Sequence, residues 1–470
     1  MFRSLNTFAI CALLTLASVA QADESEPRER IIELTLTPAA APVPALKYPL
    51  LPPLPELQPQ DAVLIYARMF SMGFGPSPTN DADRELLDKY LNSPLDDFSV
   101  DEARKLLERN VVRDNWLAHA AMCRDCSWQL PLGERPFFAI LLPELHPLRQ
   151  QAWFLALKTK IQIAEGDADG AIESIRVGYA VARQVAAGPT LIHVLVGVSI
   201  AGAFSERVAE LGTLPDAPNL YWSLTQLPSP FLNTRDALAT ETYCMELSYP
   251  EWSNPRVSGR EEAYWDALLS QLHHDMLLMG DKLPEDFDLA VIREKSYPNA
   301  KQHLLDHGMS QEEVERICPA QAIVILTVDT YNRHRDEVFK WAYLPFEAGQ
   351  TGLLEAIEKV GKTPRNDQGL PLAQLILPSL AHFRVAMQRQ ERQFALVRTI
   401  EALRMHAAEH DGNLPASLAD VTCVPVPTDP WLGKPFEYSL AGDTAKLRAA
   451  APEGQPVELT VEYRLKMRKK

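Results

Sequence analysis

The chain has 470 residues, enough for two or three domains at about 100–200 residues each. Hydrophobic residues at 46% and charged residues at 23% fit an ordinary folded protein and exclude wholesale disorder. The net charge of −16 argues against nucleic-acid binding, because phosphate contacts need concentrated Lys and Arg.

The first residues, MFRSLNTFAICALLTLASVAQA, read as an export signal. Arg3 supplies the positive start, Phe8 to Ala17 the apolar core, and Ala20-Gln21-Ala22 the small-x-small cleavage site. Cleavage near Ala22 and a periplasmic or secreted destination are therefore expected. The apolar run is shorter than the ~20 residues a bilayer crossing needs, and Cys11 has no lipoprotein-type leader around it.

Residues 23–60 combine a short strand, Ile31 to Thr37, with a proline tract, PAAAPVPALKYPLLPPLPELQP. Proline donates no backbone hydrogen bond, so this tract reads as extended chain laid over the body through its Leu and Tyr side chains. Helix signals dominate 61–410. Ser99-Val-Asp-Glu102, Ser258-Gly-Arg-Glu261 and Ser310-Gln-Glu-Glu313 each have the S-x-x-E form of a capping box.

Between Leu148 and Ala187, an apolar face at Trp153, Leu157 and Ile161 leads to Gly166-Asp-Ala-Asp-Gly170. A second stripe follows at Ile172, Ile175, Tyr179, Ala182 and Ala186. This helical hairpin is weakly tetratricopeptide-like, without the further copies an array needs. Leu191 to Phe204 is strongly apolar but too short for a membrane span. Gly197, Ser199, Ala201, Gly202 and Ala203 there predict a buried helix with close neighbours. No membrane span is expected in the mature chain.

Helical patterns continue through 218–227, 234–247, 259–279, 311–317 and 320–341, and a long helix runs from about Ser379 to His410. Its apolar residues form two stripes, one with Leu380, Phe383, Met387, Phe394 and Val397, the other with Leu396, Ile400, Leu403 and Ala407. Asp411-Gly412 is the expected stop. In 411–470 the period changes to two, at Phe436-Tyr438-Leu440, Ala445-Leu447 and Val457 to Leu465, which predicts a small antiparallel sheet. The fold class expected is mainly α: an irregular helical-hairpin body with a small C-terminal antiparallel β-sheet.

Several stretches, among them LPELHPLRQQAWFLALKTKIQIAEGDADGAI, GPTLIHVLVGVSIAG and VFKWAYLPFEAG, resemble a family of uncharacterised exported proteins from planctomycete bacteria. That resemblance implies export and no particular activity. HDGNLPASLADV with TDPWLGKPFEYSLAGDTAKL is similar to the end of a type II secretion major pseudopilin, which implies a helix leading into a small sheet.

Chemistry is sparse. His406-Ala-Ala-Glu409-His410 has the H-x-x-E-H form of an inverted zinc-protease motif, but it ends a helix, where a solvated terminus is the plainer reading. His303 and His307, and the His273-His274-Asp275 cluster, read as surface groups on charged helices. Without Cys11, five cysteines remain: Cys123, Cys126, Cys244, Cys318 and Cys423. Cys123-Arg-Asp-Cys126 has redox-dithiol spacing but follows a helical pattern, so a structural disulfide or unpaired thiols rank above it. No catalytic residue, metal site or cofactor site is assigned. The expected function is a non-catalytic exported scaffold or binding protein of the cell envelope with a protein partner. The alternative is an exported, hydrolase-like enzyme whose site escapes motif reading.

Overall fold

The computed structural model describes residues 29–71, 80–110, 113–131, 136–137, 140–279, 287–453 and 455–469. The expected export signal at 1–22 lies outside the described residues. The longer helices are α1 (Leu145–Ala164), α2 (Ala168–Ala186), α3 (Leu191–Leu211), α4 (Glu262–Met279), α5 (Leu289–Asp306), α6 (Pro319–Ala342), α7 (Phe346–Lys362) and α8 (Ser379–Glu409). The fold is mainly α with a small sheet, as the periodicity predicts. The division of the chain differs from 23–60, 61–410 and 411–470. One compact unit draws on 129–142 and 238–385, the other on 23–128, 143–237 and 386–470. The helical stretch thus contributes to both units, whereas its two flanks belong to one.

In the sheet-bearing unit, α1, α2 and α3 pack against one another. The hairpin turn is built by Gly166, at φ +83°, and by Asp167, whose side chain accepts from the Gly170 amide. Close approach of α3 to α2 requires glycine at 197, where a Cβ would lie 2.7 Å from the Ala182 carbonyl oxygen. Helix α3 continues to Leu211, beyond the expected apolar stretch. At 21 residues and mean hydropathy 1.5 it has the length and composition to cross a membrane, yet 67% of its apolar window is buried inside the fold. Burial among α1 and α2 accounts for that apolarity.

The sheet has strands β1 (Arg30–Leu36), β2 (Glu437–Ala441), β3 (Thr444–Ala449) and β4 (Val461–Met467), in the order β1-β4-β3-β2. The C-terminal strands pair antiparallel, but β1 lies parallel to β4, with Arg30 opposite Val461 and Leu36 opposite Met467. The sheet is therefore mixed. Its buried face carries Leu34, Leu36, Ala445, Leu447, Tyr463 and Leu465. Val457 and Leu459 do not join it. Pro456 starts a 3-10 turn over Val457–Leu459, which delays the strand to Val461 and leaves Val457 exposed.

The proline tract touches this unit at a few points, while its Leu46 and Leu54 side chains stay exposed. Ala39 N–H donates to the Arg404 carbonyl, the Asn219 amide donates to the Ala39 carbonyl, and Leu50 is buried. Helix α8 is enclosed on all sides between Ala395 and Ala407, not only along two stripes. It ends with Asp411 at φ 52° and the Gly412 N–H donating to the Ala407 carbonyl.

In the other unit α6 is central and packs against α4, α5 and α7. Helices α5 and α7 are additions to the expected pattern; Pro298 interrupts the sequence of α5 and three glycines that of α7. Of the three S-x-x-E sites, Ser310–Glu313 is a reciprocal capping box. Ser99 precedes a helix without a side-chain cap bond. Ser258 stands before Gly259, at φ +81°, and its helix starts only at Glu262.

Candidate binding surface

The helix-helix corner Tyr343-Leu344-Pro345 joins α6 to α7 and faces solvent. Tyr343 is 47% exposed and Leu344 42%, and Tyr243, 55% exposed, lies beside them. The contact is fixed by a 2.9 Å hydrogen bond between the hydroxyls of Thr242 and Tyr343. The Arg335 guanidinium sits 5.8 Å from the Tyr243 ring centre and pairs with Glu246. Two tyrosines, a leucine and a proline are thus exposed on the segments that this hydrogen bond joins, and tyrosine is enriched in protein-recognition surfaces.

Arg384 of α8 holds the corner from beneath. It is 6% exposed, and its Nη1 donates to the carbonyls of Trp341 (3.0 Å), Ala342 (2.7 Å) and Leu344 (3.0 Å). These include carbonyls that the end of α6 leaves without helical partners. The Phe346 ring lies 5.4 Å from its Cζ. Its Nε and Nη2 have no hydrogen-bond partner among the described residues, and no carboxylate pairs with it there. Burial without a counter-ion lowers its pKa.

The groups singled out in the sequence are placed as follows. His406 is buried and His410 stacks on it at 3.9 Å, with His410 Nδ1 donating to the His406 carbonyl. The pair is thus not a wholly solvated helix end. No group of three or more His, Cys, Asp or Glu among the described residues is arranged to hold a metal ion. His303 is largely buried, a departure from the surface reading, because Asp329 on α6 meets its Nε2 at 2.8 Å and Arg256 also pairs with Asp329. Asp275 departs similarly: it is 3% exposed and accepts from Tyr249 at 2.6 Å and Gln271 at 2.8 Å. His273 stacks on Phe287.

All five cysteines are free thiols. Cys123–Asp125 forms a short strand, and an extended chain rises about 3.3 Å per residue. Three such steps place the Cα atoms of Cys123 and Cys126 roughly 10 Å apart, beyond the ~7 Å limit for a disulfide. Their sulfurs donate to different elements, the His119 carbonyl and the Gln184 carbonyl. Burial pushes both thiols up, opposite to the shift that activates a thiolate.

Two interior polar clusters had no motif to announce them. Lys160 is fully buried; its Nζ donates to the carbonyls of Tyr90, Leu91 and Ser93 and pairs with Glu210 at 3.4 Å. Arg207 pairs with the same Glu210 at 2.8 Å. Desolvation lowers Lys160 to about 8 and raises Glu210. His193, also fully buried, shares a 2.8 Å hydrogen bond with Thr190, packs edge-on against Trp128, and has no partner at Nε2 among the described residues. Burial lowers it to about 4, so it is neutral. Only the apolar pattern around Lys160 could have flagged a buried charge. Nothing local marks His193.

A cavity of about 40 Å³ lies between α5 and the loop after Arg365, over Phe287, Ile292, Gly369 and Pro371. It has room for a few waters, far below the ~300 Å³ of a small-molecule site. Comparison with protein-family models, curated proteins and solved structures finds no match to this chain.

Proposed function

We propose that this chain is a non-catalytic helical binding protein of the cell envelope, carried out of the cytoplasm by its N-terminal signal. The observation that carries the reading is the exposed Tyr243–Tyr343–Leu344–Pro345 patch. Apolar surface of this kind on a rigid corner costs solubility unless it is covered by a partner. Tyrosines are also the side chains that protein interfaces favour. The acidic chain disfavours nucleic acid as that partner. The resemblance to exported planctomycete proteins supports the same destination.

Photo-crosslinking in the source cell tests both parts. A benzophenone amino acid at position 343 is expected to give a discrete adduct in the envelope fraction, with the recovered protein beginning within two residues of Asp23. The same probe at exposed Glu355 is the control. A chain that keeps Met1 in the cytosol refutes export. No adduct at 343, or the same adducts at both positions, refutes a dedicated binding surface.

A further inference from the structure

Taking the corner as a binding surface, as proposed above, we infer that it receives an apolar peptide segment bearing a carboxylate, and that Arg384 is the residue that recognises the acid. An arginine side chain offers donors along two edges, and only Nη1 of Arg384 is engaged, by the three carbonyls that close α6. The Nε and Nη2 donors form the side-on edge that carboxylates meet bidentately, and both are buried without a partner among the described residues. A stability role explains Nη1 but leaves the other edge uncompensated. Buried donors of this kind are nearly always satisfied.

The local field selects an anion. Among the described residues no carboxylate pairs with Arg384, and desolvation lowers its pKa. The Phe346 ring and the exposed Tyr343, Leu344 and Pro345 supply apolar contact for the rest of the segment. Gly349 lets α7 pack closely against the corner: a Cβ there would lie 2.3 Å from the Trp341 carbonyl oxygen and 3.3 Å from Nη2. Both donors are closed to solvent, so uptake of the acid requires the corner to shift.

The test uses the full chain with N-acetyl-leucine as the probe and N-acetyl-leucinamide, which lacks the charge, as its comparison. Calorimetry should show saturable binding of the acid in the millimolar range expected for about a dozen heavy atoms. The amide should bind about tenfold or more weakly, as for loss of a charge-assisted hydrogen bond. Arg384→Lys keeps the charge but removes the two-donor edge, and should abolish the preference for acid. Leu344→Glu changes only an exposed position and sets a resident negative charge beside the site. It removes apolar contact from both probes but repels only the acid, so it should weaken the acid about tenfold more than the amide, and the inference stays testable if Arg384→Lys fails to fold. Equal binding of acid and amide, no saturation, or an acid preference that survives Leu344→Glu overturns it. A positive crosslink at 343 with no acid preference would overturn the carboxylate alone and leave the binding surface standing.

Discussion

Arg404 and Glu401, one turn apart on α8 and each 1% exposed, are joined by two 2.9 Å hydrogen bonds from one guanidinium nitrogen to both carboxylate oxygens. Both partners are also engaged elsewhere. Arg404 donates to the carbonyls of Thr37, Ala217 and Pro218, and Glu401 accepts from the Leu220 amide. The pair ties the end of β1 and the loop after α3 to the long helix.

Arg404→Met should therefore be costly. It leaves Glu401 buried and uncompensated and strips three carbonyls of their donor. The expected loss is about 3–5 kcal/mol, read as a shift of the urea midpoint. A loss below about 1 kcal/mol would mean that water replaces the guanidinium.

His193 makes stability depend on pH. Its neutral form is favoured in the fold, with the pKa lowered to about 4, whereas the unfolded residue titrates near 6.5. Below 6.5 the unfolded chain takes up the proton first, so stability falls as pH drops from about 6.5 towards 4. Its contribution is complete above that window. The full effect is about 3 kcal/mol. Thermal melts of His193→Leu should show a flatter slope than the parent across pH 4–6.5; an identical slope would exclude His193 as the titrating group.

Leu403 is fully buried in the all-round enclosed part of α8. Leu403→Asp places a charge there at several kcal/mol. The strand pairing of β1 with β4 means that the damage should not stop at Gly412. Hydrogen exchange should rise together in β1, α3 and the C-terminal strands. Exchange rising only after Gly412 would show that the sheet is a detachable appendage.

Thiol titration in denaturant without reductant should find all of Cys123, Cys126, Cys244, Cys318 and Cys423 reactive. In the native protein Cys244 should react among the slowest, since burial pushes its thiol up to about 12. Two thiols fewer would reveal a disulfide and contradict the free cysteines of the fold.

The helices of the α1–α2 hairpin, the close approach at Gly197 and the stop at Asp411-Gly412 were legible because each is a local pattern with its own chemistry. The parallel partner of β1 was not, since pairing across the whole chain leaves no trace in either strand. Val457 was misplaced for a related reason: alternation continues through it, and only the Pro456 turn breaks the strand. The Tyr343 corner was not legible, because a short string between two helices carries no periodicity. Nor was the guanidinium beneath it, because Arg384 reads in sequence as one more polar residue on a long helix.

Pairing of β1 with β4 also sets an order of events during synthesis. Glu33 and Arg464, which pair across these strands at 3.1 Å, are 431 residues apart. All of 238–385 leaves the ribosome before β4 exists, so that unit can assemble while β1 still waits. Until then the β1 edge, with Ile31 exposed even in the finished fold, is an open template for another chain. The sheet-bearing unit should be the slow and chaperone-dependent half of the molecule, and a chain released early, short of Val461, should aggregate through its beginning.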